Sequence, residues 1–142
     1  MSQSQARTQG VHHVGLTVPD LAAARAFFQD ALGFNAVGEL SDYPAVFLSD
    51  GTVMITLWQA EDAANAVSFD RRRVIGLHHL ALRVAGREEL EALHRELAAR
   101  KDVEIEFAPE PLGGGPTRHM MCAIPGRIRL ELIAPAALRS AR

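Results

Sequence analysis

Two copies of one short pattern, a His-His pair that opens an alternating apolar segment, constrain this fold more than any other feature. The first copy is VHHVGLTV at residues 11–18, and the second is LHHLALRV at residues 77–84. With six histidines in 142 residues, chance alone would give roughly a quarter of one adjacent His pair. Each copy precedes a segment of helical periodicity, so the pattern indicates a duplicated structural unit.

The first copy begins a predicted β-α-β-β-β unit. Apolar residues alternate through residues 11–18, which is typical of a half-buried strand, and Asp20 follows as a suitable helix cap. Apolar residues then recur every three or four positions from Leu21 to Leu32, and Gly33 provides a natural helix end. Short segments punctuated by turn residues predict three further strands between residues 34 and 58.

The second copy begins an equivalent unit. It predicts a helix over Arg87–Arg100 and strands around residues 103–107, 118–124 and 128–133. The two units also end alike, because GTVMITL at 51–57 aligns with GRIRLEL at 126–132. Residues 60–73 form a connector, and its Arg71–Arg73 run is interpreted as a solvated linker in preference to an anion site.

These elements predict an α+β fold, in which two β-α-β-β-β modules form paired curved mixed sheets. A chain of 142 residues leaves little room for a second domain. We expect a disordered tail at residues 1–10 and a single domain at residues 11–135, made of module 11–59 and module 76–135.

Composition excludes several function classes. Hydrophobic residues make up 48% of the chain and the formal net charge is −2, so there is no basic field to hold nucleic acid. No apolar run approaches the roughly 18 residues of a membrane span, and the first ten residues contain no apolar signal region. The single cysteine, Cys122, excludes an intrachain disulfide framework and a thiolate zinc cluster. We therefore expect a soluble, cytoplasmic protein that binds neither nucleic acid nor membrane.

Strand geometry assigns candidate metal ligands to one face of each sheet. Successive side chains point to opposite faces, so the apolar residues of each first strand pack on the helices, and His13 and His79 point to the free face. The same parity places Glu131, in the last strand, on the free face. Two imidazoles and one carboxylate suit a divalent metal ion that keeps positions open for substrate or oxygen. His13, His79 and Glu131 are therefore the predicted metal ligands.

Parity also assigns the remaining histidines and arginines of interest. His12 and His78 face the other way, where we expect partly buried structural residues. His119 adjoins a loop and is a weaker candidate for an acid or base. Arg83 and Arg129 lie on the predicted ligand face, where they would bind an anionic group of a small substrate or pair with neighbouring acids of the sheet.

A resemblance to the vicinal oxygen chelate superfamily is carried by three segments: HHVGLTVPDLAAARAFFQDALGF, the restart at LHHLALRV and the ending PGRIRLELIAP. This superfamily includes glyoxalase I, bleomycin resistance proteins, fosfomycin resistance enzymes and extradiol dioxygenases. The resemblance covers residues 11–135 and implies a glyoxalase-like fold around a metal cavity. It further implies one metal ligand from the first and one from the last strand of each module, at His13, Thr56, His79 and Glu131.

Thr56 departs from the glyoxalase I pattern, which has a carboxylate serving as ligand and base in that place. A neutral hydroxyl is a poor ligand for a divalent ion and cannot take a proton at neutral pH. Glu131 is thus the candidate base, with Thr56 and His119 as weaker catalytic candidates near the reacting atoms. Extradiol dioxygenases resemble this three-ligand arrangement, but Met121 stands near the place of their usual tyrosine.

The resemblance implies a metal-dependent enzyme. We expect a divalent ion (Fe²⁺, Mn²⁺, Zn²⁺ or Ni²⁺) that chelates vicinal oxygens of a small substrate and stabilises an enolate in a lyase or isomerase reaction. Two alternatives stay open. One is an extradiol-type dioxygenase with a 2-His-1-Glu iron site, and the other is a metal-free binding protein like the bleomycin resistance members.

In this superfamily two module halves enclose the metal. The 14-residue connector at residues 60–73 reaches roughly 45 Å when extended, which lets the halves join within one chain or across two. We expect a homodimer, because two small curved sheets leave apolar surface for a two-fold partner to cover.

Overall fold

Each half of the chain folds into a four-stranded sheet with helical structure on one face. The computed structural model describes residues 5–136, so the first four residues of the predicted tail lie outside the described range. The order of elements predicted for each half is confirmed. The elements are β1 (His13–Val18), α1 (Leu21–Ala26), β2 (Asn35–Leu40), β3 (Ala45–Ser49), β4 (Met54–Gln59), β5 (Leu80–Arg83), α2 (Arg87–Ala98), β6 (Glu104–Pro111), β7 (Arg118–Ile124) and β8 (Ile128–Ala134).

The two sheets have the same topology. The first sheet has the order β1-β4-β3-β2 and the second has the order β5-β8-β7-β6. In each sheet the module's first strand pairs in parallel with its last strand, and the other pairs are antiparallel. Gly15 lies opposite Thr56 in the first sheet, just as Ala81 lies opposite Glu131 in the second. The predicted α+β fold with two mixed sheets is therefore confirmed.

The first helix begins as predicted and changes its winding before it ends. Asp20 caps α1, because its Oδ1 accepts a hydrogen bond of 3.0 Å from the Ala23 amide. A π-helical segment at Phe27–Ala31 follows directly. Phe27 and Phe28 are adjacent in sequence and both fully buried, so the wider turn brings two neighbouring rings into the core. The helix stops at Gly33, whose φ of +76° is the left-handed conformation expected there.

Three strands differ from their predicted bounds by two or more residues. β1 begins at His13 instead of residue 11, and β5 begins at Leu80 instead of residue 77. His78 and His79 consequently precede the strand that was predicted to contain them. β6 runs on to Pro111, beyond the predicted 103–107. Its prolines are tolerated because β6 is an edge strand, where an amide hydrogen need not enter the ladder.

One hydrophobic core joins the two halves. It contains the helix-side residues of both sheets together with both helices, and its largest members include Phe27, Leu57, Leu90, Leu130 and Leu132. Because the helix-side faces of both sheets share this core, the opposite faces, which we call the free faces, are turned away from it. No helix within residues 5–136 is long and apolar enough to cross a membrane.

Candidate functional site

Glu131 lies at the centre of a cluster on the free face of the second sheet. Its Oε1 is 3.1 Å from His79 Nε2, and its Oε2 is 2.6 Å from His119 Nδ1. β8 supplies Glu131, the adjacent strand β7 supplies His119, and the residue just before β5 supplies His79. The side chains of Glu131 and His119 are 10% and 12% exposed, while that of His79 is 36% exposed. The cluster is therefore open to solvent at His79.

Strand parity explains why Glu131 lies on this face. Ile128, Leu130 and Leu132 of β8 are buried in the core, so the residues between them point to the free face. This face assignment, predicted from alternation, is confirmed for β8. Arg129 and Glu131 are each only 8% exposed as residues, and a charge at such depth needs a partner.

Arg129 is paired with Glu106 of β6. Its Nε and Nη2 donate to the two carboxylate oxygens at 2.9 and 2.7 Å. The hydrogen bond from Arg129 lowers the pKa of Glu106, and the same bond raises the pKa of Arg129. Arg129 was predicted to bind an anionic substrate group or to pair with an acid of the sheet, and in this chain its guanidinium pairs with Glu106.

The connector contributes to the same network. Arg71 Nη1 donates to Glu106 Oε2 at 3.0 Å, so Glu106 joins the connector to the second sheet. The prediction of a solvated linker fits Arg72 and Arg73, which are exposed, but is wrong for Arg71. The run of three arginines in the sequence is consistent with a solvated linker and with binding to an anionic group. Only the position of Glu106 shows that Arg71 binds a carboxylate.

His78 is exposed and connects Arg129 to His79. Arg129 Nη1 lies 3.2 Å from His78 Nδ1, and His78 Nδ1 lies 2.8 Å from His79 Nδ1. Partial desolvation and then the charge of Arg129 lower the pKa of His78. The prediction that His78 is partly buried and faces the helices is therefore wrong. The reason is that β5 begins only at Leu80, and strand parity does not apply before the strand begins.

Sequence reasoning missed Glu106 and Phe107 as residues of the site, and it missed the network roles of Arg71 and His78. Phe107 packs edge-on against His119, with ring centroids 4.9 Å apart. Adjacent residues of a regular strand point to opposite faces, yet Glu106 and Phe107 both contact free-face residues. The pairing of β6 with β7 shifts register between Ile105 and Phe107, which permits this. Alternation with Ile105 could have indicated Glu106, but nothing in the sequence indicates the shift.

The free face of the first sheet is neutral and aromatic. Trp58 Nε1 donates to Thr56 Oγ1 at 2.9 Å, and Thr56 is 5% exposed. Tyr43 and Phe47 lie beside Trp58, with centroid distances of 4.9 and 6.0 Å. A Cβ on Gly15 would meet Thr56 Oγ1 at 3.1 Å and Trp58 Nε1 at 3.4 Å. This surface is therefore an aromatic layer in which a side chain at Gly15 would crowd Thr56 and Trp58.

His13 lies at the first position of β1, on the edge of the first sheet. His12 and His13 approach through their Nδ1 atoms at 2.9 Å, and both residues are exposed. The prediction that His12 is partly buried is therefore wrong. Arg83, the other predicted anion ligand, is exposed at the end of β5 and lies opposite Ile133.

Two of the three predicted metal ligands are close enough to share one ion. Ligand atoms at right angles and about 2.1 Å from an ion are about 3.0 Å apart, and His79 Nε2 and Glu131 Oε1 are 3.1 Å apart. A neutral imidazole nitrogen and a carboxylate oxygen also suit divalent transition ions. Within residues 5–136, however, no group of three or more His, Cys, Asp or Glu side chains is arranged to hold a metal ion. His13 is thus not joined to His79 and Glu131 in one chain.

Comparison with known proteins gives matches to one family model and to related proteins over most of the chain. Residues 10–132 match the family model described as the Glyoxalase/Bleomycin resistance protein/Dioxygenase superfamily. The chain is 28% identical to the protein YqjT of Bacillus subtilis, over 89% of this chain and 99% of that protein. It is 30% identical to a 2-epi-5-epi-valiolone epimerase of Actinomyces sp, over 87% of this chain and 78% of the epimerase.

A shorter match and two solved structures extend this comparison. Catechol-2,3-dioxygenase of Bacillus subtilis is 33% identical over 48% of this chain and 27% of the dioxygenase. A suggested glyoxalase from Bacillus halodurans is 32% identical, with a TM-score of 0.71 over 88% of this chain and 95% of that one. A single-residue mutant of the fosfomycin resistance protein FosX from Listeria monocytogenes, solved with Mn(II) and 1S,2S-dihydroxypropylphosphonic acid, is 19% identical. Its TM-score is 0.72, over 91% of this chain and 94% of that one.

Proposed function

Because the chain belongs to the glyoxalase/bleomycin resistance protein/dioxygenase superfamily, we propose that it is a divalent-metal-dependent enzyme of the lyase or isomerase type. Its substrate is a small molecule with vicinal oxygens. The observation that carries this proposal is the 3.1 Å approach of His79 Nε2 to Glu131 Oε1 on an accessible face. An unprotonated imidazole nitrogen and a carboxylate oxygen repel each other at this distance, so the contact needs a cation, either a proton on Nε2 or a metal ion that both atoms bind. A divalent ion is the cation proposed here.

The third ligand of the proposed site is His13, supplied by a second copy of the chain. No three-donor group forms within the described part of one chain, and the two free faces are turned away from the shared core. In a two-fold dimer, the first sheet of one protomer can cover the second sheet of its partner. Exposed apolar residues that such a dimer could cover include Val11, Val67 and Ile75. We therefore propose a homodimer with two sites, each built from both chains.

Each residue of the cluster has a definite part in the proposed reaction. A bound ion would withdraw electron density from the substrate oxygens and so stabilise negative charge that develops next to them. His119 Nδ1 and Glu131 Oε2, 2.6 Å apart, share one proton. The ring then keeps a lone pair on Nε2, the atom that would take a proton from a substrate carbon and return it. Phe107 fixes the ring of His119. The aromatic layer around Trp58 would close the site and exclude water.

An isomerase-type reaction is supported by the similarity to an epimerase, which is 30% identical over 87% of this chain. Arg129 is held by Glu106, so we assign contact with any anionic substrate group to the exposed Arg83. Thr56 accepts a hydrogen bond from Trp58, and we assign it to the wall of the site. A dioxygenase is the second candidate, supported by the partial match to catechol-2,3-dioxygenase.

We also propose a cytoplasmic location. The single cysteine, Cys122, is buried as a free thiol, and burial raises its pKa to about 12. A thiol of this kind remains protonated and unreactive at neutral pH. One cysteine cannot form an intrachain disulfide, and a chain without one suits a reducing compartment.

The test is metal binding combined with carbon–hydrogen exchange. Untagged protein is analysed for bound metals, titrated with Mn²⁺ or Ni²⁺ by calorimetry, and incubated in D₂O with a panel of small α-hydroxycarbonyl compounds. We expect about one ion per chain and metal-dependent loss of a proton signal next to a carbonyl. The Glu131→Gln variant should show neither. Equal metal binding by wild type and this variant would contradict the proposal, whereas oxygen uptake with catechols would favour the dioxygenase.

A further inference from the structure

The contact of Arg129 with His78 determines the direction of the hydrogen bond between His78 and His79. A guanidinium can only donate, so the 3.2 Å contact between Arg129 Nη1 and His78 Nδ1 requires an unprotonated Nδ1 on His78. The 2.8 Å contact between the Nδ1 atoms of His78 and His79 needs one proton. Because His78 Nδ1 carries none, His79 Nδ1 must be the donor.

Arg129 is firmly held in this position. Its side chain is 10% exposed, and two hydrogen bonds join it to the carboxylate of Glu106. Glu106 is bonded in addition to Arg71 of the connector. A fork of this kind fixes both the place and the direction of the remaining N–H groups of the guanidinium. The Nη1 that faces His78 is thus an oriented donor.

We propose that Arg129 and His78 are positioning residues that fix which nitrogen of His79 is available to a cation. They keep a proton on Nδ1 of His79, so its Nε2 is the atom that faces Glu131 Oε1 at 3.1 Å. Second partners that hold the other ring nitrogen of a metal-binding histidine generally orient it and strengthen its binding. The part concerning the metal rests on the proposed function, whereas the order of hydrogen bonds does not.

The other His-His pair provides a matched control within the chain. His12 and His13 approach through Nδ1 at 2.9 Å, with the same 5.1 Å between ring centroids as His78 and His79. Among the contacts of the described residues, an arginine reaches the pair at His78 but not the pair at His12. The first pair therefore has the same geometry without the oriented donor.

The hydrogen-bond order is tested by nitrogen NMR of metal-free protein labelled with ¹⁵N-histidine, with resonances assigned through His78→Leu and His79→Gln. We expect Nδ1 of His79 to be protonated in the wild type. In Arg129→Met it should shift toward the unprotonated range, and Arg129→Lys, which keeps a donor, should restore part of the protonated signal. An unprotonated His79 Nδ1 in the wild type, or no change in Arg129→Met, would overturn the proposal.

Metal affinity is measured on the same proteins with Zn²⁺ by calorimetry. Since His78 is exposed, its variants should fold. We expect His78→Leu to weaken binding by about 10- to 100-fold, while His78→Asn, which keeps an acceptor near Nδ1, should retain most of the affinity. His12→Leu should change it by less than about threefold. Equal effects of His78→Leu and His12→Leu would refute the positioning role. Absence of Zn²⁺ binding by the wild type would refute the proposed function and leave the NMR test standing.

Discussion

The free faces of the two sheets have the same backbone plan and opposite chemistry. Both sheets have the same strand order, and in both a His-His pair with ring centroids 5.1 Å apart lies at or just before the start of the first strand. Opposite Gly15 the first sheet has Thr56, hydrogen-bonded to Trp58, whereas opposite Ala81 the second sheet has Glu131, which contacts two histidines. The duplicated fold thus fixes the direction of equivalent side chains. The residue at one pair of equivalent positions, Thr56 and Glu131, gives the two faces their different chemistry.

Burial explains why the chemistry concentrates on the second face. Glu131 and Arg129 are buried charges, and each is stable only with partners, so histidines and Glu106 gather around them. Thr56 is equally buried but neutral, and the indole of Trp58 satisfies its hydroxyl. The first face can therefore be covered by aromatic rings, while the second must stay polar.

The largest expected effect is the loss of metal affinity when Glu131 is replaced by alanine, compared with the same replacement at the equivalent residue Thr56. Glu131→Ala removes a proposed ligand and should weaken Mn²⁺ binding by about 100-fold or more, whereas Thr56→Ala should change it by less than about threefold. Calorimetric titration checks both, with circular dichroism to show that each variant is folded. Comparable losses in the two variants would contradict this prediction and make Thr56 a ligand as well.

Mixed dimers test whether the two faces meet across chains. A His13→Ala chain and a Glu131→Ala chain each lack one ligand of every site they form alone. When they are combined, a site shared between chains should recover about one intact metal position in each heterodimer, because the intact half of each chain then meets its counterpart. Metal analysis of the isolated heterodimer measures this. Recovery of no metal would place each site within one chain.

A smaller effect is expected from the residues opposite Thr56 and Glu131. Gly15→Ala adds a Cβ 3.1 Å from Thr56 Oγ1 and should lower the free energy of unfolding by about 1–3 kcal/mol through overpacking. Ala81→Gly, on the open second face, should cost only about 0.5–1 kcal/mol of backbone entropy. Urea unfolding of the two variants gives the comparison. A stabilised Gly15→Ala protein would show that the aromatic layer is loosely packed.

The smallest expected effect is the change with pH in the stability that the Glu106–Arg129 pair contributes. The folded pKa of Glu106 is lowered, so its contribution to stability is present above the ordinary carboxyl pKa and is lost as the pH falls through the folded value. Glu106→Gln should therefore have a lower melting temperature than wild type near pH 7. The difference should shrink below about pH 4. A difference that is constant between about pH 7 and about pH 3 would show that the charge of Glu106 contributes nothing.

The sequence by itself determined the duplication, the order of elements and the free-face position of Glu131. These features are encoded by local periods, two for a strand and between three and four for a helix, which can be read without knowing any partner. Residue type, also a local signal, identified Asp20 as the cap of α1 and Gly33 as the end of its helical segment, and both are confirmed.

Tertiary structure alone decided the partners of those residues. The register shift in β6 brings Glu106 to Arg129 and Phe107 to His119, and the late start of β5 leaves His78 exposed between Arg129 and His79. Register shifts and strand ends depend on pairing between segments distant in the chain, which local alternation does not encode. The same reason separates His13 from Glu131: each half positions its own ligands by local rules, and only packing between halves or between chains can bring them together.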